Sequence, residues 1–174
     1  MRLGVWTWVA LGLLPLAAPG ALRAQEGGSQ LEVVSMPFRL AVQTEAANGV
    51  ATGSFYNQLA GARLDLLFSP HVSFGGYLGY VNLKGKGGRA SNLLSYAEVE
   101  YRTGAPGDTV RIPFRFASGY LPRNGPVVRM ATGFAFALTP RVDLVTELLA
   151  PMFWVTNDQM LLSMNVSLEL AWRL

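Results

Sequence analysis

The last twelve residues of the chain alternate without interruption between two kinds of side chain. The even positions hold the apolar residues Met164, Val166, Leu168, Leu170, Trp172 and Leu174. The odd positions hold small, polar or charged residues, which are Ser163, Asn165, Ser167, Glu169, Ala171 and Arg173. Successive side chains of a β-strand point to opposite faces, so this segment predicts a strand with one apolar and one polar face. A soluble sandwich could bury the apolar face, but the alternation recurs along the chain and indicates a barrel with lipid outside and a polar lumen.

The beginning of the chain has the pattern of a secretory signal peptide. A short basic start precedes an apolar stretch over residues 3–18, and small residues follow, so cleavage is expected after Gly20 or Ala24. The alternative is an uncleaved membrane anchor. It is disfavoured because the stretch contains proline and is shorter than the about 20 residues that cross a bilayer as a helix. We predict a signal peptide over residues 1–24 and one domain over residues 25–174.

The composition excludes several classes of site. The chain has no cysteine, so disulfides, thiolate metal sites and thiol catalysis are absent. The net charge is only +3 and the arginines are scattered, so no nucleic-acid partner is predicted. No segment after the first 24 residues approaches the apolar length of a transmembrane helix. We predict no metal and no cofactor.

Turn-forming residues divide the rest of the chain into eight extended segments, each about 10 to 13 residues long, the length of a tilted strand that crosses a bilayer. The predicted strands are 33–43, 59–69, 72–83, 93–102, 110–120, 127–138, 142–154 and 161–173. The second, fourth and sixth connections are short, and the first (44–58) and third are longer. Outer-membrane barrels have short periplasmic turns and longer external loops, so the alternation predicts an N-terminus in the periplasm.

Charged residues within the predicted strands all share the polar parity. They are Arg39, Arg63, Asp65, Glu98, Glu100, Arg102, Arg111, Arg115, Arg129, Asp143, Glu147, Glu169 and Arg173. An arginine that faces lipid at the bilayer midplane costs about 2 to 4 kcal/mol, so these side chains are expected to face the lumen. The opposite parity is expected to face outward and includes Met36, Phe38, Leu40, Leu64, Leu66, Phe68, Val99, Phe114, Phe116, Met130, Phe134, Phe136 and Leu144. Seven arginines nearly balance six carboxylates, which indicates a lumen filled with ion pairs rather than a charged channel.

Aromatic and proline residues add two expectations about the predicted strands. Phe68, Phe74, Tyr101, Phe136 and Trp172 fall near the short-turn end, and Tyr80, Tyr120 and Trp154 fall near the long-loop end. These positions predict two aromatic girdles at the membrane interfaces. Pro37, Pro113 and Pro151 lie inside predicted strands and predict bulges or local breaks, because proline cannot donate to the ladder.

Two segments carry a resemblance to a known family. Residues 64–80 form a strand, a tight turn at Pro70 and a glycine-rich strand, and residues 136–144 repeat this scheme. The chain resembles the small eight-stranded outer-membrane β-barrel proteins of the OmpA membrane-domain, OmpX and OmpW type. The resemblance implies an all-β, antiparallel, up-and-down transmembrane barrel, monomeric, in the outer membrane of a Gram-negative bacterium.

The resemblance also extends to the end of the chain. The C-terminal strand, with Leu170, Trp172 and Leu174, is similar to the signal that the barrel-assembly machinery reads in that family. The family signal usually ends in phenylalanine, whereas this chain ends in leucine. The resemblance implies contact with this machinery during insertion.

Catalysis is not predicted. The only histidine, His71, lies in a predicted tight turn on the periplasmic side, so no Ser–His–carboxylate array can form at the outer leaflet. Glu98 and Glu100 share one face of a strand, as an acid–base pair would. Arg102 shares that face and further arginines lie on neighbouring strands, so we expect ion pairs instead.

The expected role is structural or interactive, in membrane integrity or in contact with lipopolysaccharide or external partners. The basic residues Lys84, Lys86 and Arg89 of the second long loop could contact an anionic surface such as lipopolysaccharide phosphates, and the alternative is a solvated loop. Eight strands leave room only for side chains, so a narrow OmpW-like channel for small solutes is the alternative function. A soluble, secreted lipocalin-like ligand-binding barrel is the more distant one.

Overall fold

The computed structural model describes residues 37–50, 56–85, 88–123, 125–155 and 160–174, without the side chains of residues 56–58, 83–85 and 88–90. The predicted signal peptide and Met36, predicted to face outward, lie outside the described residues. The strands of the described part are β1 (Phe38–Gly49), β2 (Tyr56–Leu67), β3 (Val72–Gly85), β4 (Gly88–Arg102), β5 (Val110–Arg111), β6 (Pro113–Leu121), β7 (Gly125–Thr139), β8 (Val142–Val155) and β9 (Met160–Arg173). No helix of these residues is long and apolar enough to cross a membrane.

The strands close into a ring. β1 pairs with both β2 and β9, and β7 pairs with both β6 and β8, and every pairing is antiparallel. β5 and β6 form one crossing that is interrupted at Ile112, just before Pro113, which has no N–H to donate. The described residues therefore form a closed, antiparallel, eight-stranded up-and-down barrel, as the sequence predicted.

The side chains alternate between the lumen and the outside around the barrel, with one reversal in β8. In β1, Arg39, Ala41 and Gln43 are buried, whereas Leu40 and Val42 are exposed. Among the residues predicted to face outward, those that are exposed are Phe38, Leu40, Leu64, Phe68, Val99, Phe114, Phe116, Met130 and Phe134. Those that are half-buried are Leu66, Phe136 and Leu144. The period of two thus places an apolar surface outside and the charged parity inside.

A bulge in β8 reverses the alternation. Glu147 pairs with Ser167 and the next paired residue, Ala150, pairs with Asn165, so β8 has one residue more than β9 here. The consecutive residues Leu148 and Leu149 are 58% and 50% exposed. Every later residue of β8 is consequently shifted by one position. Pro151 lies beside this irregularity, in agreement with the bulges predicted from proline.

The bulge overturns one prediction from parity. Trp154 was predicted in the girdle at the long-loop end, but the reversal turns it into the lumen, where it is 2% exposed. Its indole Nε1 donates a hydrogen bond of 3.0 Å to Ser163 Oγ. The girdle position is wrong for Trp154, whereas Tyr80 and Tyr120 are exposed on the outside.

The lumen contains two layers. The charged layer lies toward the short turns and holds Arg39, Glu45, Arg63, Asp65, Glu98, Glu100, Arg102, Arg111, Arg115, Arg129, Asp143, Glu147, Glu169 and Arg173. The aromatic layer lies toward the long loops and holds Leu59, Tyr77, Val81, Leu94, Tyr96, Leu121, Val127, Met152 and Trp154. The sequence predicted polar filling throughout the lumen, which is wrong for the long-loop half, where the inward positions hold apolar and aromatic side chains.

The aromatic layer is built around a pair of tyrosines. The rings of Tyr77 and Tyr96, which face each other in register on β3 and β4, stack with centroids 4.4 Å apart and an interplanar angle of 9°. Glycines make room for them: a Cβ at Gly79 would lie 2.2 Å from Tyr77 Oη, and a Cβ at Gly61 would lie 2.5 Å from it. Gly61 and Gly79 therefore provide the space that the ring of Tyr77 occupies.

Candidate functional site

The candidate site is the charged layer, which the strand register assembles from every wall of the barrel. Of the thirteen charged residues that the sequence placed on the polar parity, twelve are buried. Arg173, at the end of β9, is the exception, with 37% of its side chain exposed. Each of the thirteen makes at least one ion pair within the layer.

The centre of the layer joins three strands of which no two are neighbours. Glu169 on β9 accepts from Arg63 Nη2 on β2 at 2.9 Å through Oε1, and from Arg115 Nη1 on β6 at 2.9 Å through Oε2. Arg63 also contacts Glu98 at 2.5 Å, and Arg115 also contacts Glu147 at 2.6 Å. These side chains cross the lumen and fill it from wall to wall.

Toward the short turns, one carboxylate collects several arginines. Asp143 on β8 accepts from Arg102 at 2.6 Å, from Arg111 at 3.4 Å and from Arg173 at 3.2 Å. A second group in this part of the lumen is formed by Arg39 on β1, which lies 2.7 Å from Asp65 and 2.8 Å from Glu100. Arg173 therefore occupies the mouth of the barrel, where one end of its side chain meets solvent.

Sequence reasoning missed one member of the layer. Glu45 was assigned to the first long loop, but β1 continues to Gly49, and Glu45 is buried beside Arg129, with carboxylate-to-guanidinium contacts of 3.3 and 3.4 Å. Asn165 Nδ2 also donates to it. The signal was available, because Glu45 continues the parity of Arg39 and Gln43.

Glu45 also completes the charge balance of the layer. With it, the described lumen holds seven arginines and seven carboxylates, the six from the sequence prediction plus one, so the formal charge is zero. A buried charge that lacks a partner is costly, and removal of one partner from a buried pair costs about 3 to 5 kcal/mol. A neutral, cross-linked layer avoids that cost and leaves no net charge to select an ion.

The residues that the sequence considered for catalysis, His71 and the pair Glu98 and Glu100, make other contacts in the described barrel. In the described part of the chain, no group of three or more His, Asp or Glu side chains could hold a metal ion. His71 lies in the turn before β3, where its Nδ1 is 2.9 Å from the carbonyl oxygen of Arg102. Glu98 and Glu100, considered as an acid–base pair, each contact arginines instead, at 2.5 Å to Arg63 and 2.6 Å to Arg115.

No protein-family model matches the sequence, and no curated protein matches it either. Solved structures do match. The N-terminal β-barrel domain of Pseudomonas aeruginosa OprF has a TM-score of 0.51 and 10% identity, over 77% of this chain and 97% of that chain. Neisserial surface protein A has a TM-score of 0.52 and 15% identity, over 79% of this chain and 96% of that chain. This chain has the fold of the small outer-membrane β-barrels. At these identities the similarity concerns the fold alone.

The small-barrel fold also places the other residues that the sequence singled out. Leu170 and Trp172, of the candidate assembly signal, are half-buried on β9, and Leu174 is exposed beyond its end. The backbones of Lys84 and Arg89 pair directly at the long-loop end of the β3–β4 hairpin. Their side chains, and the whole of Lys86, lie outside the described residues.

Proposed function

We propose that the protein is an integral outer-membrane barrel with a closed lumen, whose role is structural or interactive and not catalytic. The observation that carries this proposal is the charged layer, in which Glu169 is bound by Arg63 and Arg115 across the lumen at 2.9 Å each. A barrel of eight strands has an interior only wide enough for side chains, and here ion pairs occupy it.

The outer surface supports insertion into a membrane. Aromatic and aliphatic side chains such as Phe114, Phe116 and Leu168 are about half exposed on the outside, whereas arginines and carboxylates lie within. In the rival lipocalin-like barrel, charges would face water and an apolar lumen would hold a ligand. The experiment is electrophoresis of unboiled and boiled samples, with fractionation. A boiling-dependent change of mobility and recovery with outer membranes are expected, whereas unchanged mobility and a soluble periplasmic protein would contradict insertion.

The second candidate function is a narrow channel for small solutes. Conductance measurements in planar bilayers distinguish such a channel from a barrel with a closed lumen. We expect no discrete channel openings from the unmodified protein, because the charged layer leaves no continuous path. As a matched control, the R63A/R115A double variant removes the two guanidinium groups that bridge the lumen and is expected to conduct. Stable openings of the unmodified protein would favour the channel.

The proposed surface role includes contact with anionic lipid. The β3–β4 hairpin brings the backbones of Lys84 and Arg89 opposite each other beyond the exposed Tyr80, on the side of the long loops. With Lys86 they supply three positive charges that suit lipopolysaccharide phosphates. Neutralisation of all three is expected to raise sensitivity to polymyxin. Unchanged sensitivity together with unchanged membrane retention would remove this contact.

The C-terminal strand is proposed as the signal for assembly. Trp172 lies at the end of β9, which closes the barrel against β1, and Leu174 directly follows that strand. A W172D variant is expected to reach the outer membrane in smaller amounts, while its refolding in detergent is less affected. Equal losses in the cell and in detergent would assign Trp172 to barrel stability and not to recognition by the assembly machinery.

A further inference from the structure

At the boundary between the charged layer and the aromatic layer, several buried polar atoms have no hydrogen-bond partner among the described residues. Three of them come from β4 and β7, the two strands that flank β6: Glu98 Oε2, Tyr96 Oη and Arg129 Nη1. The other atoms of the same groups are occupied. Arg129 uses its Nε and Nη2 for Glu45 and Glu147, and Glu98 Oε1 accepts from Arg63.

Strand register brings these three side chains together. Glu98 on β4 pairs with Ala117 on β6, and Ala117 pairs with Arg129 on β7. Glu98 and Arg129 therefore lie at the same level of the wall, with Ala117 between them. Ala117 is small, and the guanidinium of Arg129 therefore reaches over it toward Glu98. Tyr96 is the next inward residue of β4 and pairs with Gly119, where a Cβ would lie 2.4 Å from Tyr96 Cβ, so the glycine makes room for the tyrosine.

The distance between Arg129 and Glu98 shows that the two groups are not directly hydrogen-bonded. Arg129 Nη1 and Glu98 Oε2 are 3.8 Å apart, which is too long for a direct hydrogen bond. Both side chains are at most 2% exposed, so neither atom reaches bulk solvent. A polar contact longer than about 3.5 Å between buried groups is commonly bridged by water, and a buried water makes about three hydrogen bonds.

Tyr96 supplies the third partner. It lies two residues before Glu98 on the same inward face of β4, and its Oη is buried without a hydrogen-bond partner. Arg129 offers N–H donors, Glu98 an acceptor, and the phenol either role. These three partners use three of the four hydrogen bonds that one water molecule can make.

We propose that Arg129, Glu98 and Tyr96 bind a buried water molecule that joins the charged layer to the aromatic layer. The water accepts from Arg129 Nη1, donates to Glu98 Oε2 and exchanges its remaining hydrogen bond with Tyr96 Oη. The site belongs to the barrel wall and does not depend on whether the protein is structural or a channel. Its ligand is water, since the neutral layer supplies no surplus charge to hold an ion.

The first test is Tyr96→Phe, which removes only the hydroxyl group, measured by urea unfolding of the full barrel in lipid vesicles. If the hydroxyl binds the water, its loss lowers the folding equilibrium constant about 5- to 30-fold. If the hydroxyl is merely buried without a partner, its removal relieves a desolvation penalty and raises that constant. Tyr101→Phe is the matched control: Tyr101 lies on the outside of the same strand, and its change is expected to stay within about twofold.

The second test uses the unmodified protein and needs no variant to fold. Nuclear Overhauser spectra of the barrel in micelles are expected to show a long-lived water in contact with the guanidinium protons of Arg129. The proposal requires both results. A rise or no change of the folding constant in Tyr96→Phe, or the absence of a water contact at Arg129, would overturn it.

Discussion

Arg63 and Glu169 lie 106 positions apart in the chain, yet their side chains are 2.9 Å apart and fully buried. Their strands, β2 and β9, are both neighbours of β1. Ala41 of β1 pairs with Arg63 on one side, and its small side chain lets the guanidinium pass over β1 toward Glu169. This ion pair thereby spans the junction of β1 and β9, where the barrel closes.

The first prediction concerns that closure. Glu169→Ala leaves the guanidinium groups of Arg63 and Arg115 without a shared carboxylate, so we expect a loss of about 3 to 5 kcal/mol of unfolding free energy. The measurement is urea unfolding in vesicles, followed by tryptophan fluorescence. Leu168→Ala, the outward neighbour on the same strand, is the control and is expected to cost less than half as much. Equal losses in the two variants would contradict a structural role for the pair.

A second prediction tests the lumen position of Glu45. Substitution of an exposed loop residue is usually within about 0.5 kcal/mol of neutral, whereas Glu45→Ala is expected to cost several times more because it deprives Arg129 of a partner. In a double-mutant cycle, Glu45→Ala and Arg129→Ala should couple by about 0.5 to 3 kcal/mol. Glu45→Ala and Arg102→Ala, which make no contact with each other, should be additive. If the effects of Glu45→Ala and Arg129→Ala are additive, Glu45 does not contact Arg129 in the lumen.

A third prediction distinguishes a lipid-facing outer surface from a water-facing one. Leu168 lies near the middle of β9 and is exposed, so Leu168→Arg is expected to cost about 2 to 4 kcal/mol in a bilayer. Met160 lies at the long-loop end of the same strand, and Met160→Arg is expected to cost about 0 to 1 kcal/mol. Unfolding free energies in vesicles measure both. If the two variants lose the same amount, the outer surface is not in contact with hydrocarbon.

A fourth prediction follows from the bulge in β8. Trp154 faces the lumen, whereas Trp172 is half-buried near the short-turn end, so lipids brominated near the headgroup should quench the fluorescence of Trp172 and not that of Trp154. The two are measured separately in Trp154→Phe and Trp172→Phe proteins that begin at residue 25. Strong quenching of Trp154 would show that β8 keeps its parity and has no bulge at Leu148–Leu149.

Parity was informative where strands are regular and failed where they are not. It predicted correctly that Phe114 and Phe116 face outward, because β6 pairs with β4 and β7 in regular register at both residues. It misplaced Trp154, because one extra residue in β8 moves every later side chain of that strand to the opposite face. No local sequence pattern indicates the residue at which this change occurs. Pro151 predicted an irregularity in this strand but could not say which side chains would change face.

The sequence by itself determined the class of fold, since alternation with a period of two, strand lengths and turn spacing are local properties that any pairing of these strands must respect. It also determined that arginines and carboxylates share the inward face, because a charged side chain that faces lipid costs too much free energy. Which arginine meets which carboxylate, the inclusion of Glu45, and the stacking of Tyr77 on Tyr96 were decided only by the tertiary structure. These contacts depend on register between strands up to 106 residues apart, as for Arg63 and Glu169, and such register is set by closure of the whole ring.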